Sequence, residues 1–291
     1  MSTTRTKSVT IITVPYHVGI YNHRVGAGPQ QLLPKVQNEL ASQNVTVTVE
    51  SIDRVDDFEG EIGRSFELLR RVSRAVCKAK EAGTFPVVLA GNCNTSVGVA
   101  AGLRLAGTED LQLVWMDAHN DADTPDELMH GYFDGMGVSM VSGGSWKALT
   151  STIPGHSPIP MNQVLFCGIR NQTREELMKF DAVGARVISG GDSNQCVESL
   201  LKYQLGPKET LVHVDLDVLD PDAVGWANEF PSRGGLSAEA LVQCMGKMGR
   251  GNASALTIAS FMPGLQGGHA VEAAAIQGIS YFFRELFGSS Y

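Results

Sequence analysis

Eight short runs of apolar and β-branched residues recur along the 291-residue chain, and longer segments with helical apolar spacing separate most of them. The runs are Val9–Val14, Val45–Ile52, Phe85–Ala90, Leu111–Asp117, Gln163–Ile169, Arg186–Ile188, Leu211–Asp217 and Ala255–Phe261. Gly63–Ala82, Thr95–Leu105, Arg174–Phe180, Val197–Leu205, Ser237–Met248 and Val271–Phe287 carry the helical spacing. Strands alternating with helices form βαβ units, whose strands run parallel because each crossover returns the chain to the same edge. Runs such as FPVVLA and LTIASF are apolar almost throughout, which suits strands covered on both faces. The expected fold class is α/β: a three-layer α/β/α sandwich around an eight-stranded, mostly parallel sheet. Residues 1–291 are expected to form one domain, since α/β folds of this length are often undivided. The Gly-, Ser- and Pro-rich stretch Val141–Asn162 reads as a surface excursion from it.

A hydrophobic fraction of 43% with 19% charged residues excludes a disordered chain. The formal charge of −8 offers no basic footprint for phosphate backbones, so nucleic acid is not an expected partner. No window approaches the ~18 uninterrupted apolar residues of a membrane span, and SVTIITV near the N-terminus reads as a first strand. The five cysteines are odd in number and lack C-x-x-C spacing, as expected of reduced thiols in a cytoplasmic protein.

In open parallel sheets, ligands bind at the carboxyl ends of the strands, where chain reversals leave a crevice bordered by loops. Three such ends are unusual here. LQLVWMD runs straight into His119, Asp121 and Asp123. Alternate residues of an extended segment share a face, so Asp117, His119 and Asp121 can point into one site. TLVHVDLD ends in Asp215 and Asp217, and PVVLA leads into GNCNTSVG before a helix. A single Asp after a strand is commonly a turn former or a helix cap. Two acidic clusters on one sheet edge resist that explanation, because carboxylates at close quarters repel unless a cation neutralises them. A hard divalent ion with oxygen ligands and one histidine is the economical solution.

DAHNDADTP resembles the Asp-Ala-His-x-Asp motif of the arginase–agmatinase (ureohydrolase) family, and HVDLDVLDP resembles its Asp-x-Asp-x-Leu-Asp-Pro motif. RVGAGPQQL, FCGIR and FPSRGGLSAEA are similar to that family's Gly-Pro, Gly-x-Arg and Pro-x-x-Gly-Gly-Leu segments, so the resemblance spans nearly the whole chain. It implies the arginase fold, homo-oligomers (trimers or hexamers), and two Mn²⁺ ions holding a hydroxide that attacks a guanidinium or related carbon of a small molecule. Residue by residue, it implies that Asp117 and Asp215 bridge the ions, His119 and Asp217 complete one, and Asp121 binds the other and the nucleophile. His130, in MHGYF, lies near the place of a His-Gly pair that shuttles protons in relatives.

The chain also departs from the family. The Gly-Gly-Asp-His segment reads Gly91-Asn92-Cys93-Asn94, which sets Asn94 where a second metal-binding histidine belongs; Cys93 is an outside candidate for a ligand, and a small buried hydrophobe is its expected role. An amide oxygen is a weaker ligand than imidazole, so the second ion is expected to be weak or absent, and a mononuclear site would admit Zn²⁺. Ala255–Gln266 contains no acid where guanidine-cleaving relatives carry a Glu, and Ser260 or Thr257 takes the place. A guanidinium would lack its bidentate partner there. Asp123, Thr173 and Glu229, with Ser260, are the candidate substrate contacts, and His213 is expected to satisfy a local hydrogen bond. The expected function is metal-dependent hydrolysis of a non-peptide C–N bond in an amide, amidine, ureido or modified guanidino compound, not arginine or agmatine. Two alternatives stand beside it: a weak or inactive binding protein on the same fold, and a metal enzyme running a non-hydrolytic reaction in a specialised pathway.

Overall fold

The computed structural model describes residues 7–55 and 60–288. Its strands are β1 (Ser8–Val14), β2 (Tyr16–His17), β3 (Ile20–Tyr21), β4 (Thr46–Ser51), β5 (Phe85–Ala90), β6 (Leu111–Met116), β7 (Val164–Ile169), β8 (Arg186–Ser189), β9 (Glu209–Asp215) and β10 (Ala253–Ala259). Eight of them form one sheet in the order β4-β1-β5-β10-β9-β6-β7-β8, and every pairing in it is parallel. β2 and β3 make a small antiparallel ribbon where the chain leaves β1.

The helices are α1 (Gly28–Ser42), α2 (Gly60–Glu81), α3 (Thr95–Leu105), α4 (Gly137–Val141), α5 (Lys147–Thr150), α6 (Arg174–Ala182), α7 (Ser193–Lys202), α8 (Ala238–Arg250) and α9 (Gly268–Leu286). Because successive strand residues point to opposite faces, the sheet feeds two cores. Val9, Ile11, Val87 and Leu89 pack with α1, α7, α8 and α9. Ile12, Val14, Val88 and Trp115 pack on the other side with α2, α3, α4 and α6. The three-layer sandwich with an eight-stranded parallel sheet is as expected.

Two details differ. α1 lies in a stretch without an expected helix. Pro29 in its first turn and Pro34 inside it obscure the periodicity, yet Leu32, Val36 and Leu40 are spaced by one turn and reach the core. The excursion Val141–Asn162 is partly packed, with Ile153 and Ile159 buried on the α2–α3 side and Ser73 Oγ donating to the Pro154 carbonyl at 2.6 Å. The aromatic tail of α9 is core: Phe282 and Phe283 are buried, with ring centroids 5.8 and 5.4 Å from that of Phe85.

Candidate metal centre

β6 ends at Met116 and β9 at Asp215, each earlier than its apolar run suggested, and the acids lie in the turns that follow. Each leading Asp shapes its own turn. Asp117 Oδ1 accepts the His119 N–H at 2.7 Å, and Asp215 Oδ1 accepts the Asp217 N–H at 2.7 Å. The turn-forming role and the clustering role therefore belong to the same residues. These turns, rather than continued strand, bring His119 Nδ1 to 3.2 Å from Asp217 Oδ2 and 3.5 Å from Asp117 Oδ1. Ligand atoms of Asp117, His119 and Asp217 lie within 4.8 Å of one another. Trp115 Nε1 donates to Asp117 Oδ2 at 2.9 Å and Asn228 Nδ2 to Asp217 Oδ2 at 2.9 Å, which fixes both carboxylates.

The opposite wall comes from the end of β5. Gly91 is required there, because a Cβ on it would stand 2.0 Å from the Tyr16 carbonyl oxygen. Two residues on, Cys93 Sγ donates to Asp215 Oδ2 at 2.8 Å. Asn94 is buried but does not line the cavity. Its backbone is already helical, so its side chain diverges by about 100° from that of Cys93. Its backbone N–H is donated to Asp134 Oδ1 at 2.8 Å.

These groups floor a cavity of about 830 Å³. His119, Asp121, Asp215 and Asp217 line it, as do Asp123, His130 and Ser260. Asp121 (φ 48°) and Ser260 (φ 62°) hold left-handed backbone, sparsely populated for such residues, which aims their side chains inward. Thr257 lies buried beneath Ser260 and is not part of the lining. His130 is at the exposed rim, its Nδ1 accepting the Tyr132 N–H at 3.2 Å. Thr173 and Glu229 do not line the cavity. Thr173 caps α6 in a reciprocal box with Glu176, whose carboxylate reaches inward to Asn120 Nδ2 at 3.1 Å. Glu229 pairs with Arg24 Nε at 3.1 Å, and it is Arg24 that faces the cavity.

The sequence model of the Arginase family matches residues 7–283. The chain belongs to the arginase family. The arginase of Eremothecium gossypii is 28% identical over 257 residues, or 79% of this chain and 63% of that enzyme, so the match spans less than two thirds of the relative's length. The crystal structure of Bacillus subtilis arginase has a TM-score of 0.81 at 22% identity, covering 97% of this chain and 99% of that one. Proclavaminate amidino hydrolase from Streptomyces clavuligerus has a TM-score of 0.70 at 17% identity, covering 97% and 93%. At such identities the structures show the shared fold.

Geometry corrects one alignment within the arginase-family pattern. The side chain after β5 that faces the acids is Cys93, so the Gly-Gly-Asp-His segment corresponds to Ala90-Gly91-Asn92-Cys93, and a thiol rather than the Asn94 amide stands in the histidine position.

Electrostatics shows what this arginase-family cluster requires. Burial, reinforced by Asp217, pushes the Asp117 carboxyl up to about 7. Burial again comes first for Asp215, with Asp217 and Asp117, and for Asp121, with Asp117 and Asp134, driving both well above the carboxylate range. Asp217 goes the other way: burial works to raise it, but the charge and hydrogen bond of His119 and the bonds from Asn228 and Ala118 outweigh that. Burial pushes Asp134 up to about 6 against hydrogen bonds from Asn94 and Asn92. A cation among these groups reverses the repulsion. Oxygen donors from four aspartates and an imidazole from His119 fit a divalent metal ion.

Arg170, present in the sequence only as part of a Gly-x-Arg pattern, holds the second motif in place. Its buried guanidinium donates to the carbonyls of Asp217 (2.7 Å), Val218 (3.2 Å), Leu219 (3.3 Å) and Ser232 (2.9 Å). Gly235 is required for the same reason: a Cβ on it would meet the Val218 carbonyl at 2.6 Å and the Arg170 guanidinium carbon at 3.0 Å. Among the described residues, no helix is long and apolar enough to cross a membrane.

Proposed function

We propose that the protein is a metal-dependent hydrolase cleaving a linear, non-peptide C–N bond in a small amide, amidine, ureido or modified guanidino compound, rather than L-arginine or agmatine. The observation carrying this reading is the cluster of His119 with the buried carboxylates of Asp117, Asp215 and Asp217, of which His119, Asp215 and Asp217 line a cavity of about 830 Å³, a size suited to small molecules. These four residues hold the metal, and Asp121 approaches it from the cavity side. One or two divalent ions bound there supply ionised water near neutral pH and stabilise the charge that develops as the C–N bond breaks.

The chain's own groups handle the protons. Asp121 accepts one at the floor, and Asp134, at about 6, exchanges one close to neutrality. His130, exposed at the rim, passes protons to solvent. Asp123 and Ser260 contact the substrate. A guanidinium seated against the end of β10 would face the Ser260 hydroxyl and the Cys93 thiol, not a carboxylate. Glu176 and Glu229 are already engaged, by Thr173 and Asn120 and by Arg24 respectively. Family membership makes manganese the first ion to test and supports a trimeric or hexameric assembly.

The test is release of urea and ammonia by Mn²⁺- and Zn²⁺-loaded protein offered L-arginine, agmatine and a panel of small amides, amidines and ureido acids. Metal-dependent turnover of a panel compound, with no urea from the first two, is the expected result. Urea from L-arginine at an ordinary kcat of around 1–10³ s⁻¹ would show that the acid missing beside Ser260 does not set the substrate.

A further inference from the structure

Cys93 is fully buried against four acids, an environment in which a cysteine is neither exposed nor free of polar neighbours. Its Sγ lies 2.8 Å from Asp215 Oδ2 and 3.5 Å from Ser260 Oγ. A second, independent feature lies beside it. The imidazole of His213 is completely buried, stacks on Trp115 at 3.7 Å between ring centroids, and binds Ser96 Oγ through Nδ1 at 2.9 Å. Its Nε2 has no hydrogen-bond partner among the described residues. A buried polar atom left unpaired is costly, so an orphaned ring nitrogen at this depth calls for a ligand. Ligand atoms of Cys93, Asp117 and His213 lie within 4.8 Å of one another.

We propose that Cys93 and His213 are direct metal ligands, which with Asp117 make a sulfur, nitrogen and oxygen set selecting a thiophilic divalent ion of the zinc class over manganese. This rests on the metal-dependent reading above and changes which ion serves it. Soft thiolate ligands favour zinc, whereas carboxylate and water suit manganese. On binding, the sulfur–metal bond forms and the thiol proton, shared with Asp215 in the metal-free protein, leaves to solvent. Asp117 belongs to this set and to the Asp117–His119–Asp217 set, so its carboxylate would serve both.

X-ray absorption on the zinc-loaded full-length protein reads this without any variant. A Zn–S shell at about 2.3 Å is expected, and a shell of only nitrogen and oxygen at about 2.0–2.2 Å overturns the proposal. Cobalt-loaded protein should show a thiolate-to-cobalt charge-transfer band in the near ultraviolet that disappears in Cys93→Ser. Zinc affinity should fall in His213→Gln by more than the roughly 10–100-fold typical of losing an outer partner. A band that survives Cys93→Ser, or unchanged zinc affinity in His213→Gln, contradicts the ligand set. Failure of the wild-type protein to retain any metal sinks the hydrolase reading as well; retention without sulfur sinks only this one.

Discussion

Asp215→Asn should lose metal and activity together while making the metal-free protein more stable. The amide keeps the shape of the side chain and the acceptor for the Asp217 N–H, so the turn after β9 survives. What it removes is one charge from a cluster in which burial, Asp217 and Asp117 hold the Asp215 carboxyl well above its ordinary range. A carboxyl whose folded-state pKa is raised is stabilising below its unfolded value and loses that contribution as pH rises through the folded value. At pH 8 the ionised group therefore works against folding, and its removal should stabilise the metal-free protein. The turnover of whichever compound the wild type hydrolyses should fall roughly a thousandfold or more, about 4 kcal/mol of transition-state stabilisation. Metal analysis, thermal melts with and without metal, and kcat/KM check the three parts. A variant that melts lower without metal yet keeps full occupancy would assign Asp215 a structural role alone.

Arg170→Ala should be the most destabilising single change near the site. It removes the donor to five carbonyls, those of Gly168, Asp217, Val218, Leu219 and Ser232, three of them in the segment that carries Asp217. Losing one partner of such a buried, charge-assisted network costs about 3–5 kcal/mol, because the remaining groups stay desolvated and unpaired. For a chain of this size that lowers Tm by roughly 10 °C. Arg170→Lys should recover little, since a single ammonium cannot span carbonyls that a planar guanidinium reaches together. Scanning calorimetry with and without metal distinguishes this from a loss of binding: the deficit should persist in the metal-free protein.

The sheet and its layers were legible because long apolar runs and helical spacing are carried by many residues at once. α1 was hidden by two prolines that its position tolerates. The acids of the site were legible as two clusters, although alternation along a strand was the wrong geometry for them: the strands stop at Met116 and Asp215, and Asx-type turns do the converging. Register was the harder problem. Asn94 and Cys93 are adjacent in sequence, and only the helical backbone at the start of α3 decides which of them faces Asp215. Thr173 and Glu229, expected as substrate contacts, are engaged by local partners, Glu176 and Arg24, and it is those partners that face the cavity. Asp134 and Arg170 carried no signal as site residues, because their roles depend on contacts from far along the chain.

Calorimetric titration of the metal-free protein with Zn²⁺ and Mn²⁺, at about pH 8 and about pH 5.5, tests the central claim most directly. Asp117, at about 7, and the raised carboxyls of Asp215 and Asp121 hold protons at the lower pH that a metal must displace. The expected result is at least one ion bound per chain at pH 8, with proton release on binding at pH 5.5 and an affinity there lower by about tenfold or more. Absence of binding at both pH values, or an affinity that rises toward acid, would contradict a metal centre built on these residues.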